Sequence, residues 1–288
     1  MTRLNDKSRF LLKILNKNDS KSIPRVAFEI LKYSSRQGLS PGEYFAYGLH
    51  RKSTTSLSFA QYMSNSSHYK MHLKKLNREG RAILFDKLAF KDTMTKANLP
   101  VPMTVGYAGP EKNNESNFTK IDSKNICQVL KKSDINQLII KPAKGTQGKG
   151  IYLLKFNPDA QKMFQIKDQH LDTGELFEFI KHNCADTNHS DVVFEELITT
   201  TEELKKISPD AAPNVRVITL RTPNGETHIT SVSLRLGRAH SVTSNSGSGG
   251  LLATIDIDTG KIINCKTTNR LEGVSVEVHP DTLFPIIG

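Results

Sequence analysis

Gln137-Leu-Ile-Ile-Lys-Pro-Ala-Lys-Gly-Thr-Gln-Gly-Lys-Gly-Ile-Tyr-Leu-Leu154 decides the reading of this chain. Leu138 to Ile140 form an apolar run that ends on Lys141. A loop carrying Gly145, Gly148 and Gly150 follows, and a second apolar run, Ile151 to Leu154, comes straight after it. The pattern predicts strand, glycine loop, strand. Glycine adopts positive φ without steric cost, so a loop of this kind can turn backbone N–H groups toward phosphate oxygens. Lys141, Lys144 and Lys149 add positive charge around it. An ordinary hairpin with solvated lysines has the same pattern, and the flanking motifs must separate the two.

Two commoner phosphate loops are excluded. A Walker loop needs Gly-x-x-x-x-Gly-Lys-Ser/Thr at the start of a helix, whereas Gly150 leads into Ile151 and Tyr152. A dinucleotide fingerprint needs a third glycine where Leu153 stands.

The 288 residues suit one large domain or two modest ones. No apolar run reaches the ~20 residues that cross a bilayer, and Phe10-Leu-Leu-Lys-Ile-Leu15 is too short and too interrupted for a secretory core. Cys127, Cys184 and Cys265 are odd in number and lack metal spacing, which predicts reduced thiols in a cytoplasmic protein. The net charge of +11 suits an anionic partner such as a nucleotide or an acidic substrate. Lys70, Lys74, Lys75, Arg78 and Arg81 carry part of the excess and also read as a solvated helix face. No zinc-finger spacing or aromatic ribonucleoprotein pattern points to nucleic acid. The nine histidines show no metal-ligand grouping.

Residues 1 to about 82 read as helical, over Arg25 to Tyr33 and Ala60 to Leu76. Ser40-Pro41-Gly42-Glu43 has the form of a capping box, predicting a helix from Pro41 to about His50. Asp86 caps a second helix over Lys87 to Ala97, and Pro100 and Pro102 lead into a strand over Met103 to Tyr107. Gly109 to Lys120 is a polar loop and Ile126 to Leu130 a helix. Ala160 to His182 reads as a loop plus a helix, and Val192 to Ile198 as a buried strand that gains acids at its end. From Val215 the pattern is antiparallel: Val215 to Thr222, a turn at Asn224-Gly225, Thr227 to Leu236, Leu251 to Ile257, a turn at Asp258-Thr259-Gly260, and Lys261 to Cys265.

Taken in order, these motifs resemble the ATP-grasp superfamily, and within it the sugar-transfer-associated ATP-grasp family, related to α-L-glutamate ligases. The likeness runs through Leu39-Ser-Pro-Gly-Glu-Tyr-Phe45, Asp86-Lys87-Leu-Ala-Phe-Lys91 with Leu99-Pro-Val-Pro102, Ile139 to Gly150, Val193-Phe-Glu-Glu-Leu-Ile198, Pro213-Asn-Val-Arg-Val-Ile-Thr219, Leu234-Arg-Leu-Gly237, and Asn245 to Gly250 with Ile255-Asp256. It covers roughly residues 35 to 285, in the family's order and spacing. The resemblance implies an α+β ATP-grasp fold with three parts: a helical segment over 1–82, a nucleotide-binding subdomain over 83–200, and a second subdomain over 201–288.

The resemblance also implies ATP with Mg²⁺. A carboxylate would be activated as an acyl phosphate and joined to an amine, in polysaccharide-related biosynthesis. Lys87 and Lys141 are assigned to the phosphates, with Lys144, Gly145, Gly148 and Gly150 as the loop that covers them. Glu195, Glu196 and Leu197 form the adenine hinge, with a carboxylate for the ribose. Arg216 and Arg235 become phosphate or acyl-phosphate ligands, and Asn245 an amide near phosphate or metal. Read as residues alone, Arg216 also fits a structural salt bridge, and the two glutamates fit a strand emerging into solvent.

One departure stands out. The family's late Glu-x-Asn, which helps hold magnesium, has no counterpart after Arg235; Glu111-Lys-Asn113 lies too early, and Asp256 and Asp258 are the remaining acids of that half. The expectation is a second subdomain that is incomplete as it stands, with the metal ligands unassigned. Two rival readings follow: an ATP-binding or partner-binding module with little turnover, and an ATP-grasp phosphotransferase acting on a hydroxyl. Neither the substrates nor the oligomeric state is specified.

Overall fold

A computed structural model describes residues 15, 18–54, 62–74, 80–109, 118–145, 148–184, 191–245, 247, 249–267 and 273–287. The expectations placed on most of Phe10 to Leu15, on Lys75 and Arg78, on most of the Gly109–Lys120 loop with its Glu111 and Asn113, and on Thr146, Gln147, Ser246 and Ser248 lie outside the described residues. The chain divides into two compact units, Met1–Arg78 with Thr268–Val274 and Glu79–Thr267 with Ser275–Gly288.

The first unit contains helices α1 (Ile23–Gln37), α2 (Pro41–Ala46) and α3 (Asn65–His68), the last running into a π-helical turn at Tyr69–Leu73. The capping box forms: Ser40 Oγ accepts from the Glu43 N–H, and Glu43 Oε2 accepts from the Ser40 N–H at 2.8 Å. The helix it starts ends at Ala46 and does not reach His50, because the chain turns at Gly48 with φ +69°. Val26, Tyr33, Leu39, Tyr44, Phe45 and Leu49 form this unit's core. Within the described part of Ala60 to Leu76, helix is confined to α3 and its π turn.

The second unit runs in the order α4 (Arg81–Phe85), α5 (Lys87–Lys96), β1 (Thr104–Ala108), α6 (Ile126–Ser133), β2 (Gln137–Pro142), β3 (Tyr152–Phe156), β4 (Phe164–Ile166), β5 (Gln169–Leu171), α7 (Thr173–Asn183), β6 (Val192–Glu196), α8 (Glu202–Lys205), β7 (Asn214–Arg221), β8 (Thr227–Leu236), β9 (Leu251–Ile255) and β10 (Ile262–Thr267). Two antiparallel sheets result, ordered β1-β6-β2-β3-β4-β5 and β10-β9-β8-β7. The architecture is α+β, as the motifs imply.

Alternation along β2 explains how the first sheet is built. Leu138 and Ile140 are fully buried against Ile126 and Leu130 of α6 and Leu176 and Ile180 of α7. Gln137, Ile139 and Lys141 therefore face the other way. The segment expected as a loop before the second half of Ala160 to His182 instead holds the short strands β4 and β5, turned at Lys167 with φ +53°. In the second sheet Leu234, Leu236, Leu251, Ala253 and Cys265 pack with Ile286. The Asn224-Gly225 turn forms as expected, with Gly225 at φ +90°.

Candidate functional site

One cleft of about 900 Å³ opens in the second unit. Its wall on the first sheet is the outward face of β2 and β3, Gln137, Ile139, Lys141 and Leu153, with Ile151 just before β3, followed by Glu195 and Glu196 at the end of β6 and Leu197 and Ile198 beyond it. Its wall on the second sheet carries Asn214 and Arg216 of β7 and Arg235 of β8. Asp210 to Ala212 and His240 to Asn245 close the rim.

The rim is stapled. Ser208 Oγ donates to the Ala211 carbonyl at 2.5 Å and accepts from the Gly237 N–H at 2.7 Å. Asp210 Oδ2 accepts from the His240 N–H at 2.5 Å, and Asn214 Nδ2 donates to Ser244 Oγ at 2.6 Å. Buried His279 braces the same region: its Nδ1 accepts from the Asp281 and Thr282 N–H groups, so Nε2 donates to the Gly237 carbonyl at 3.0 Å.

Lys141 projects from the cleft face of β2 and pairs with Glu195 Oε1. The Glu195 side chain is 8% exposed, and its other oxygen lies 2.8 Å from Lys91 Nζ in an ion pair that is not aligned as a hydrogen bond. Glu195 is thus held between two lysines instead of reaching into open space. Glu196 is also engaged: its Oε1 accepts from the Met103 N–H at 2.7 Å, while its own N–H donates to the Met103 carbonyl at 3.0 Å. Leu197 lines the cleft, and among the described residues its backbone makes no hydrogen bond.

Lys87 opens α5 behind Asp86, whose Oδ1 accepts from the Leu88 and Ala89 N–H groups. Its Nζ donates to the carbonyls of Pro142, Ala143 and Gly145 at 2.8, 3.3 and 3.2 Å, tying the helix start to the root of the glycine loop. Burial and the charge of Lys141 hold Lys87 below the ordinary lysine value, partly offset by Glu195 and Asp86. Lys144 is half exposed and lies 3.8 Å from Asp86. Gly148 lines the cleft. Gly150 does not; it sits at φ +69°, where a Cβ would approach Pro142 Cγ at 3.0 Å and the Asn183 carbonyl at 3.2 Å.

Arg216 and Arg235 share the cleft face of adjacent strands, and among the described residues neither has an acid within ion-pair distance. Arg235 Nε is buried with no hydrogen-bond partner. Burial, and then the nearby Arg216, push Arg235 below the ordinary arginine value. The salt-bridge alternative for Arg216 therefore finds no acid among the described residues to make it. Asn245 lines the cleft and accepts from the Gly247 N–H at 3.3 Å.

Of the residues expected from sequence, Lys141, Gly148, Glu195, Glu196, Leu197, Arg216, Arg235 and Asn245 meet in this cleft. Lys87, Gly145, Lys144 and Gly150 belong to its supporting edge. The expectations did not include Lys91, the apolar floor of Ile139 and Leu153, or the Asp210–His240 rim. Period-two alternation from Lys141 back to Ile139 would have found the floor.

The sequence profile of the sugar-transfer associated ATP-grasp family matches residues 66–288. The chain belongs to that family. It is an ATP-binding ATP-grasp protein, and the matched span contains the whole cleft, from Gln137 to Asn245. A search of curated proteins found no match. No helix among the described residues is long and apolar enough to cross a membrane.

Residues that would hold magnesium are a separate matter. Glu195 is neutralised by two lysines, Glu196 holds the Met103 N–H, and Asp210 holds the His240 N–H. Asp256 caps its own turn, with Oδ1 accepting from the Thr259 N–H at 2.8 Å and from Thr259 Oγ1 at 2.7 Å, and it does not line the cleft. Among the described residues no three acids, histidines or cysteines gather at one point. These residues do not fit a protein-built magnesium cage.

Proposed function

We propose that the cleft takes ATP and that the protein is an ATP-dependent carboxylate–amine ligase. The observation that carries this reading is the Arg216–Arg235 pair, two cations on one face of the second sheet with no acid within ion-pair distance among the described residues, in the cleft that Lys141 also lines. Cations arranged this way attract a polyanion, and family membership makes ATP the polyanion.

The adenine edge would meet the Leu197 backbone over Ile139 and Leu153. The phosphates would meet Lys141 and the two arginines, with Lys87 and the loop of Lys144, Gly145, Gly148 and Gly150 at their edge. Asn245 offers an amide near them. The halves 83–200 and 201–288 would act as the two jaws.

In the reaction, a substrate carboxylate oxygen attacks the γ-phosphorus and the bond to the β-phosphate oxygen breaks, giving an acyl phosphate and ADP. The amine then attacks the acyl carbon, phosphate leaves, and the amine gives up a proton. Negative charge shifts onto the bridging and terminal oxygens in the first step. Preorganised Lys141, Arg216 and Arg235 stabilise that charge without rearranging. The family name supports a role in polysaccharide-related biosynthesis. Three cysteines outside any disulfide support a cytoplasmic setting.

A second reading is an ATP-binding module with little turnover. The engagement of Glu195, Glu196 and Asp210 favours it, since none has a carboxylate wholly free for metal or proton transfer. The test is a screen of carboxylates with amines in the presence of ATP and Mg²⁺, reading ADP, phosphate and the amide product. Amide formed in step with ADP supports the ligase. Nucleotide binding with no amide or ADP from any pair supports the module. A phosphorylated hydroxyl product would replace both with a phosphotransferase.

A further inference from the structure

Lys91 is 4% exposed, an unusual position for a lysine. It lies one turn after Lys87 on α5, so both side chains leave the same helix face. Lys87 reaches the glycine loop. Lys91 reaches inward, donating to the Pro102 carbonyl at 2.6 Å and lying 2.8 Å from Glu195 Oε2. Lys141 takes the other oxygen, Oε1. One carboxylate thus serves two ammonium groups, one beneath the cleft and one lining it.

The sum of charges matters. Lys141 with Glu195 alone would be a neutral pair, its lysine held by an internal anion. A phosphate would then compete with Glu195 for the same ammonium. With Lys91 present the trio carries a net positive charge, and Lys141 is the member that faces the cleft. Burial raises the effect, because charges a few ångströms apart interact several times more strongly there than in water.

We propose that Lys91 is a positioning residue for the phosphate end of the cleft: by taking up the charge of Glu195 it leaves Lys141 a net cation toward the nucleotide phosphates, and so governs phosphate affinity without touching the nucleotide. The inference rests on the reading of the cleft as the ATP site. It differs from a packing role in that it depends on charge and can be undone by removing a second charge.

The test compares binding of ADP and adenosine to the full chain by calorimetry, with thermal melting as the fold control. Wild type binds ADP more tightly than adenosine; equal binding overturns the nucleotide reading itself, and this inference with it. Lys91→Met loses tenfold or more in ADP affinity and keeps its adenosine affinity. Lys91→Met with Glu195→Gln restores ADP affinity to within about threefold of wild type, because the net charge returns. An unchanged Lys91→Met, or an equal loss of both ligands that Glu195→Gln does not rescue, overturns the inference while leaving the ATP site standing. Should Lys91→Met not fold, Glu195→Gln alone decides: it binds ADP at least as tightly as wild type, and weaker binding overturns the proposal.

Discussion

Arg235 on β8 stands opposite Asn214 on β7, which places it diagonally beside Arg216, two residues along the same face. Two cations in this relation repel each other, and the buried Nε of Arg235 has no partner to offset the cost. The arrangement makes sense as a site held ready for an anion.

Removing one member should therefore separate stability from binding. Arg235→Met is expected to leave the melting temperature unchanged or slightly raised. The same variant should lose ADP affinity by tenfold or more, the scale of a charge-assisted hydrogen bond of about 1.5–3 kcal/mol. Melting and titration on one sample check both halves. A large fall in melting temperature would instead show that Arg235 holds the sheet together.

Acid sensitivity is expected at the brace behind the cleft. Asp281 accepts from Arg238 Nε at 2.7 Å and Nη2 at 2.6 Å, and this guanidinium holds its carboxyl well below the usual aspartate range. A depressed folded value means that the pair stabilises the fold fully above the unfolded aspartate value of about 3.9, and that this is lost as pH falls below it. Asp281→Asn should cost about 1 kcal/mol at neutral pH, since the pair is partly exposed. The gap from wild type should narrow below about pH 4. Urea unfolding at several pH values reads it; a gap independent of pH contradicts it.

Gly150→Ala tests the hairpin. The residue needs φ +69° and a Cβ there would press on Pro142 and the Asn183 carbonyl. A cost of about 1–3 kcal/mol is expected for a side chain forced into this region. Gly260→Ala is a useful comparison: it also has positive φ, at +71°, but nothing stands within 4 Å of its Cβ, so it should cost less. Equal melting temperatures for the two variants would show that close approach at Gly150 adds nothing.

In the first unit, Ser40→Ala removes the side-chain acceptor for the Glu43 N–H. It should lower stability by about 1 kcal/mol. No change in nucleotide affinity is expected, because Ser40 lies in the unit that holds none of the cleft residues. Denaturant unfolding with a parallel ADP titration checks both.

Much of this was legible before the structure. The strand–glycine–strand hairpin, the Asn224-Gly225 turn, the Asp86 cap and the ordered motifs depend on near neighbours in the chain, and each leaves a local mark. The strands β4 and β5 do not, because three residues are too few to show a period and their turn uses Lys167, a residue type that does not advertise positive φ. The helix pattern from Pro41 continues past Gly48 in sequence, whereas the helix ends at Ala46 and the backbone turns at Gly48. The position of β6 between β1 and β2 is a matter of tertiary pairing and has no local trace. Glu195 shows the same limit at the site. Its place on a strand end was readable, but its capture by Lys91 depends on a helix about a hundred residues earlier.

The central claim is that Lys141 and its neighbours form the ATP site, and the most direct measurement is a calorimetric titration of the full chain with a non-hydrolysable ATP analogue, wild type against Lys141→Ala. The account predicts one site per chain in wild type and affinity at least tenfold weaker in the folded variant, from the loss of a charge-assisted contact of about 1.5–3 kcal/mol. Equal affinity in the two proteins, with the variant folded, would contradict it.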